Sequence, residues 1–166
     1  ESLAAWTQSV ERKDGPSCLI FSRQNLPFQK RDEATLAQMH RGGYILREAV
    51  GGVPRVILIA TGSEVGLATA AQKILDEQGI TVRVVSMPCT SVFDRQDVKY
   101  KNSVLTPGVK RVAIEAGVTD YWRKYVGLEG AVVGIDRFGE SAPANDLFKL
   151  FGFTPENVVN TVKSLL

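Results

Sequence analysis

Cysteine and histidine are scarce in this sequence, and their scarcity excludes a good deal of chemistry. Cys18 and Cys89 are the only cysteines and His40 the only histidine. No CxxC pair and no Cys/His cluster is present, so zinc cages and thiol–disulfide motifs are excluded. So few cysteines, unpaired in the sequence, suit a reducing, cytoplasmic setting. An excess of charge of one sign is also missing. The 20 basic and 18 acidic residues are interspersed, leaving a net charge of +2. Nucleic-acid binding calls for a clustered basic stripe, and none is visible. Long apolar runs are absent too. The longest, Val56-Ile57-Leu58-Ile59-Ala60, has the length of a strand and falls far short of the roughly 18 residues of a membrane helix. There is no signal-peptide pattern, internal repeat or low-complexity tract.

What is there is an ordinary globular composition, 44% hydrophobic and 23% charged over 166 residues. A chain of this size buries roughly 68–70% of its unfolded surface, enough for one core without staples. Residues 1–13 read as an amphipathic helix, with Leu3, Ala4, Trp6, Thr7 and Val10 at helical spacing. A helix already running at the first residue reads as cut, which predicts a piece of a larger enzyme. After the Asp14-Gly15-Pro16 turn, Ser17–Ser22 reads as a buried strand, with Cys18 as a small buried hydrophobe. Residues 23–41 read as a connector with a short helix at Thr35–Met39.

Regular alternation follows. Tyr44–Glu48 reads as a strand, then a turn at Gly51–Pro54, then the fully apolar strand Val56–Ala60. Val65, Leu67, Ala68, Ala71, Ile74 and Leu75 recur with helical period, and Gly79 closes that helix as its C′ residue. Thr81–Ser86 is the next strand, and a bent or interrupted helix spans Ser91–Leu105. Strands follow at Lys110–Glu115 and Ala131–Ile135, then helices at Ala144–Phe151 and Pro155–Leu166. Thr154 is placed to cap the last helix, with Pro155 at its first position. Strand–helix alternation predicts parallel strands with crossover helices. The short turn between Tyr44–Glu48 and Val56–Ala60 predicts that those two strands pair antiparallel. The expected fold is a three-layer α/β/α domain with a mixed, mostly parallel sheet of about five strands.

Chemistry-bearing candidates are few. Ala60-Thr61-Gly62-Ser63-Glu64 turns from a strand into a helix, where anions bind free N–H groups. Its glycines do not follow GxGxxG, and Glu64 stands where a phosphate would go. The structural reading makes Ser63 the N-cap and Glu64 a complement to the helix dipole. Arg23, in Ser22-Arg23-Gln24, sits at the carboxyl end of an expected strand, where its fork can meet a phosphate or carboxylate. Its plainer reading is a surface or ion-paired arginine. Glu115, ahead of Ala116-Gly117, is a possible general acid or base but has no nucleophile in view. His40 has no partner residue types beside it. Tyr121, Trp122 and Tyr125 suit ligand stacking or core anchoring, and Phe138, Phe148, Phe151 and Phe153 are spaced as core residues. No Ser/His/Asp set, metal cluster, paired carboxylates or phosphate loop is legible, so the sequence predicts an incomplete site.

Several strings carry a family likeness. Ile20-Phe21-Ser22-Arg23-Gln24-Asn25-Leu26-Pro27, Arg41-Gly42-Gly43-Tyr44-Ile45-Leu46, Ile59–Val65, Val84–Pro88, Glu115-Ala116-Gly117 with Tyr121-Trp122, and Phe138–Ala144 all resemble transketolase motifs, in order along the chain. The resemblance implies an enzyme that uses thiamine diphosphate with Mg or Ca. That family transfers a two-carbon ketol unit from a ketose phosphate to an aldose phosphate, in the pentose phosphate pathway. It further implies a homodimer of three-domain subunits, whose carboxy-terminal domain touches neither cofactor nor metal. On that likeness, residues 1–41 are the end of the pyrimidine-binding domain plus linker, and 42–166 the carboxy-terminal domain. Arg23 matches the family arginine that grips the substrate phosphate. No catalytic, cofactor-binding or metal-binding residue is carried over. The expected role is structural and dimer-supporting, with the isolated chain inactive. The expected partners are the other domains, the second subunit and sugar phosphates, without nucleic acid or membrane. The alternatives are the same domain of a related thiamine enzyme, or a free-standing nucleotide- or anion-binding module.

Overall fold

The computed structural model describes residues 1–166. Its centre is a five-stranded sheet in the order β1-β3-β2-β4-β5. The strands are β1 (Tyr44–Arg47), β2 (Val56–Ala60), β3 (Val82–Ser86), β4 (Lys110–Ile114) and β5 (Ala131–Val133). β2 pairs parallel with β3 and β4, and β4 parallel with β5. β1 is the antiparallel strand, but its neighbour is β3 and not β2. The loop from Glu48 to Arg55 therefore carries the chain past β3 to the middle of the sheet, which corrects the hairpin expected from its length.

β2 is wholly buried because each face packs against a different layer. Val56, Leu58 and Ala60 face α3 (Glu64–Glu77) and α8 (Pro155–Leu165) in one cluster. Ile57 and Ile59 join Phe93, Val104, Trp122 and Tyr125 in the other. That second layer is α4 (Thr90–Asp94), α5 (Val98–Val104) and α6 (Arg123–Val126). The Ser91–Leu105 helix is thus interrupted, and Asp97 caps its second half by accepting from the Tyr100 N–H. This is the expected three-layer arrangement. A charged strand residue, Arg83, is buried on the second face. It donates to both Glu48 carboxylate oxygens at 2.8 and 3.0 Å, and to the Ser103 and Val104 carbonyls. Those partners offset the cost of burying its charge.

At the carboxyl end, α7 (Ala144–Leu150) leads into α8. Thr154 accepts from the Asn157 N–H, with Pro155 in the first turn, as its sequence signature requires. Gly79, at φ 74°, follows the Gln78 C-cap of α3. Thr154→Ala is expected to destabilise the chain by about 1 kcal/mol, read as a lower urea midpoint with unchanged slope. An unchanged midpoint would show that α8 does not depend on that cap.

The amino-terminal segment departs from expectation. α1 (Ser2–Glu11) and α2 (Glu33–Gln38) form, but Ser17–Ser22 is not a strand. Ile20 is 89% exposed, and Cys18 is exposed instead of buried. Strand hydrogen bonds need a neighbouring edge, and this stretch is paired with neither edge strand of the sheet. One anchor does hold the segment to the domain. Glu1 Oε1 accepts from Arg31, the Tyr44 hydroxyl and Ser86 Oγ at 2.9, 2.5 and 2.6 Å. Burial would raise the Glu1 pKa, but these hydrogen bonds and the Arg31 charge hold it below the usual value.

Candidate functional site

The site assembles at the carboxyl ends of β2, β3 and β4. Ala60 and Ile114 are register partners, so Thr61 and Glu115 leave the sheet side by side. Gly62 turns the chain at φ 54°, and Ser22 Oγ lies 3.3 Å from where its Cβ would stand. That close approach brings the Ser22-Arg23 segment against the Thr61–Glu64 turn.

Glu64 begins α3 and is 4% exposed. It accepts from Ser63 Oγ at 2.9 Å and from the Ala116 N–H. Burial nonetheless raises its pKa, outweighing those bonds. Ser63 therefore does not act as the expected side-chain cap; its hydroxyl is turned to Glu64. The anion-binding reading of this turn also fails, because a buried carboxylate already occupies the helix start.

Glu115 is raised further, to about 7, first by burial and then by the Glu64 charge. Its Oε2 is buried without a hydrogen-bond partner. Two carboxylates, one at the start of α3 and one just after β4, thus interact across the ends of neighbouring strands. This corrects the expectation of no paired carboxylates. The signal was present in the sequence, since each glutamate closely follows an apolar strand. It became readable only once β2 and β4 were known to be adjacent.

Beside Glu115 opens a cleft of about 320 Å³, lined by Thr61, Met87, Pro88, Cys89, Thr90, Glu115, Tyr121 and Trp122. The aromatic group divides here. Trp122 and Tyr125 are each 4% exposed and belong to the core, whereas Tyr121 is 58% exposed and walls the cleft. The Tyr121 hydroxyl is 2.6 Å from Thr90 Oγ1, and its ring stands edge-on to Trp122 at 5.8 Å.

Other candidates lie apart. Arg23 is exposed and makes no ion pair or hydrogen bond, and the strand expected to carry it is absent. His40 is exposed, and only its carbonyl is engaged, by Gln8. Phe153 is buried and Phe148 packs beside it, with Phe151 against the same cluster, but Phe138 is 95% exposed and not a core residue. No group of three or more His, Cys, Asp or Glu is placed to hold a metal ion. No helix is long and apolar enough to cross a membrane.

Comparison with known proteins bears on the whole chain. The family described as transketolase-like TK C-terminal domain matches residues 42–154. Transketolase 2 of Aliivibrio fischeri is 59% identical over 167 residues, covering 100% of this chain and 25% of that protein. Transketolase 1 of Pasteurella multocida is also 59% identical, with the same coverage. Among solved structures, transketolase from Leishmania mexicana matches with a TM-score of 0.87 at 40% identity, over 98% of this chain and 23% of that one. A split-gene transketolase, an inactive beta4 tetramer, matches with a TM-score of 0.61 at 26% identity, over 87% of this chain and 48% of that one. The chain spans about a quarter of the length of the curated relatives it matches.

Proposed function

This chain belongs to the transketolase family, and from that premise we propose that it serves as the carboxy-terminal part of a thiamine diphosphate-dependent transketolase. The parent enzyme moves a two-carbon ketol unit from a ketose phosphate to an aldose phosphate, within the pentose phosphate pathway of the cytoplasm. Residues 42–166 are its carboxy-terminal domain, and 1–41 are the end of the preceding domain plus linker. Thiamine diphosphate and its metal are held by the rest of the parent, not by this chain.

The observation that carries this reading is the apolar surface of the amino-terminal segment. Leu3, Val10, Ile20 and Phe28 are 80, 77, 89 and 88% exposed. Side chains of this kind, grouped in one segment, fit a surface built to be covered. The proposed cover is the preceding domain and the second subunit of a homodimer. The structurally similar split-gene protein, inactive as a beta4 tetramer, supports the view that such a piece does not turn over alone.

Arg23 is the one residue of this chain proposed to meet substrate. Its guanidinium is free of internal partners, so it is available to grip a sugar phosphate with charge-assisted hydrogen bonds. Arg23→Ala in the full-length enzyme should raise KM for phosphorylated substrates roughly tenfold, equivalent to about 1.5 kcal/mol, with kcat less affected. An unchanged KM would remove Arg23 from the substrate site.

A further inference from the structure

We propose that the cleft at the carboxyl ends of β2, β3 and β4 binds a small organic cation, an alkylammonium group held between the Glu115 carboxylate and the Tyr121 ring. This inference is independent of the proposed transketolase role.

Topology supplies the first argument. β2 feeds α3 on one face of the sheet, whereas β4 leads to Trp122 and α6 on the other. The chain therefore diverges between two adjacent parallel strands. Open α/β sheets bind ligands in the crevice at such a point, outside the carboxyl ends of the strands. The cleft lies there, with Thr61 after β2, Met87 after β3 and Glu115 after β4.

The lining fixes the charge of the ligand. None of the cleft residues is Lys, Arg or His. An anion would find no counter-charge and would face Glu115 backed by Glu64. Glu115 is the one acidic residue of the lining, and its Oε2 is enclosed with no hydrogen-bond partner. An ammonium group in the cleft brings the lining Glu115 carboxyl a hydrogen-bond donor and a counter-charge. Glu64 does not compete for the ligand, since Ser63 and the Ala116 N–H already engage it.

The aromatic wall favours an organic cation over a hydrated inorganic one. Tyr121 is exposed, contacts Thr90 through its hydroxyl and rests against Trp122, so its ring is held in place for a cation–π contact. Met87 and Pro88 offer apolar surface to an alkyl chain. Glu115 ionises as the cation enters, and its proton passes to solvent. The titratable groups around it are Glu64 from the start of α3, Cys89 ahead of α4 and Tyr121 after β4.

The test is an NMR titration of the isotope-labelled chain with ethylammonium chloride at about pH 7, against sodium chloride at matched ionic strength and sodium phosphate as the anionic probe. Saturable shifts are expected at Thr61, Thr90, Glu115 and Tyr121, with the Glu115 carboxyl carbon moving toward its ionised position. Glu115→Gln, which keeps shape and removes charge, should weaken the response at least tenfold. Tyr121→Leu, which keeps the carboxylate, should weaken it severalfold and guards against misreading a folding defect in the first variant. Shifts no larger than those from sodium chloride, shifts that persist in Glu115→Gln, or a saturable response to phosphate instead would each overturn the proposal.

Discussion

Gly42→Ala is expected to destabilise the chain by about 3 kcal/mol or more, since two independent costs add. Gly42 sits at φ 83°, where a side chain costs roughly 1–2 kcal/mol. A Cβ there would also stand 2.3 Å from the Cys89 carbonyl oxygen and 2.5 Å from the Phe93 nitrogen. Both are backbone atoms, so relief requires moving the chain, and overpacking of this kind costs roughly 1–3 kcal/mol. The contact matters because Cys89 N–H donates to the Gly42 carbonyl at 2.9 Å and the Tyr100 hydroxyl to that of Gly43 at 2.8 Å. These bonds fasten the entrance of β1 to the layer of α4 and α5. Gly51→Ala is the internal control, at φ 75° but with nothing within 4 Å of a Cβ. It should lose only the conformational part, about 1 kcal/mol. Urea unfolding of both variants separates the two costs, and equal losses would show that the packing at Gly42 yields.

Glu115→Gln is expected to stabilise the chain above neutral pH and to change little near pH 4. The folded-state pKa, raised to about 7 by burial and by Glu64, exceeds the ordinary carboxyl value. Between these two values the folded chain holds a proton that the unfolded chain has released. Stability contributed by this group is therefore full below the unfolded pKa and is lost as pH rises toward about 7. Glutamine stays neutral throughout, so at about pH 8 the variant should gain about 2 kcal/mol, after allowance for water reaching the cleft. Glu64 acts in the same direction, its own pKa raised by burial, and its charge adds to the rise at Glu115. Glu1 acts oppositely: its pKa is depressed, so its contribution is lost as pH falls. Taking the difference between variant and parent chain at each pH cancels the Glu1 contribution. A gap that stays constant from about pH 4 to 8 would contradict the Glu115 assignment.

Much of the fold was legible because its signals are local. The apolar run at Val56–Ala60, the periodicity of α3, Gly79 after it and the Thr154-Pro155 cap each act within a few residues, and each appears where its chemistry demands. What stayed illegible depends on partners distant in sequence. The partner of β1 is set by the path of a loop, not by its length. Ser17–Ser22 has the composition of a strand but no sheet edge to join, which leaves Cys18 exposed. The Glu64–Glu115 pair needs the start of α3 and the loop after β4 brought level by β2–β4 register. The Arg23 segment shows the same limit, since only its approach to Gly62 relates it to the carboxyl edge of the sheet.

As proposed, this transketolase-family chain leaves the holding of thiamine diphosphate and its metal to the rest of the parent enzyme. The most direct measurement is a calorimetric titration of the chain with thiamine diphosphate and Mg, paired with an assay for two-carbon transfer between a ketose phosphate and an aldose phosphate. No saturable cofactor binding and no turnover are predicted, with turnover present in a longer chain that carries the same sequence at its carboxyl end. Saturable cofactor binding or turnover by these 166 residues alone would contradict the account.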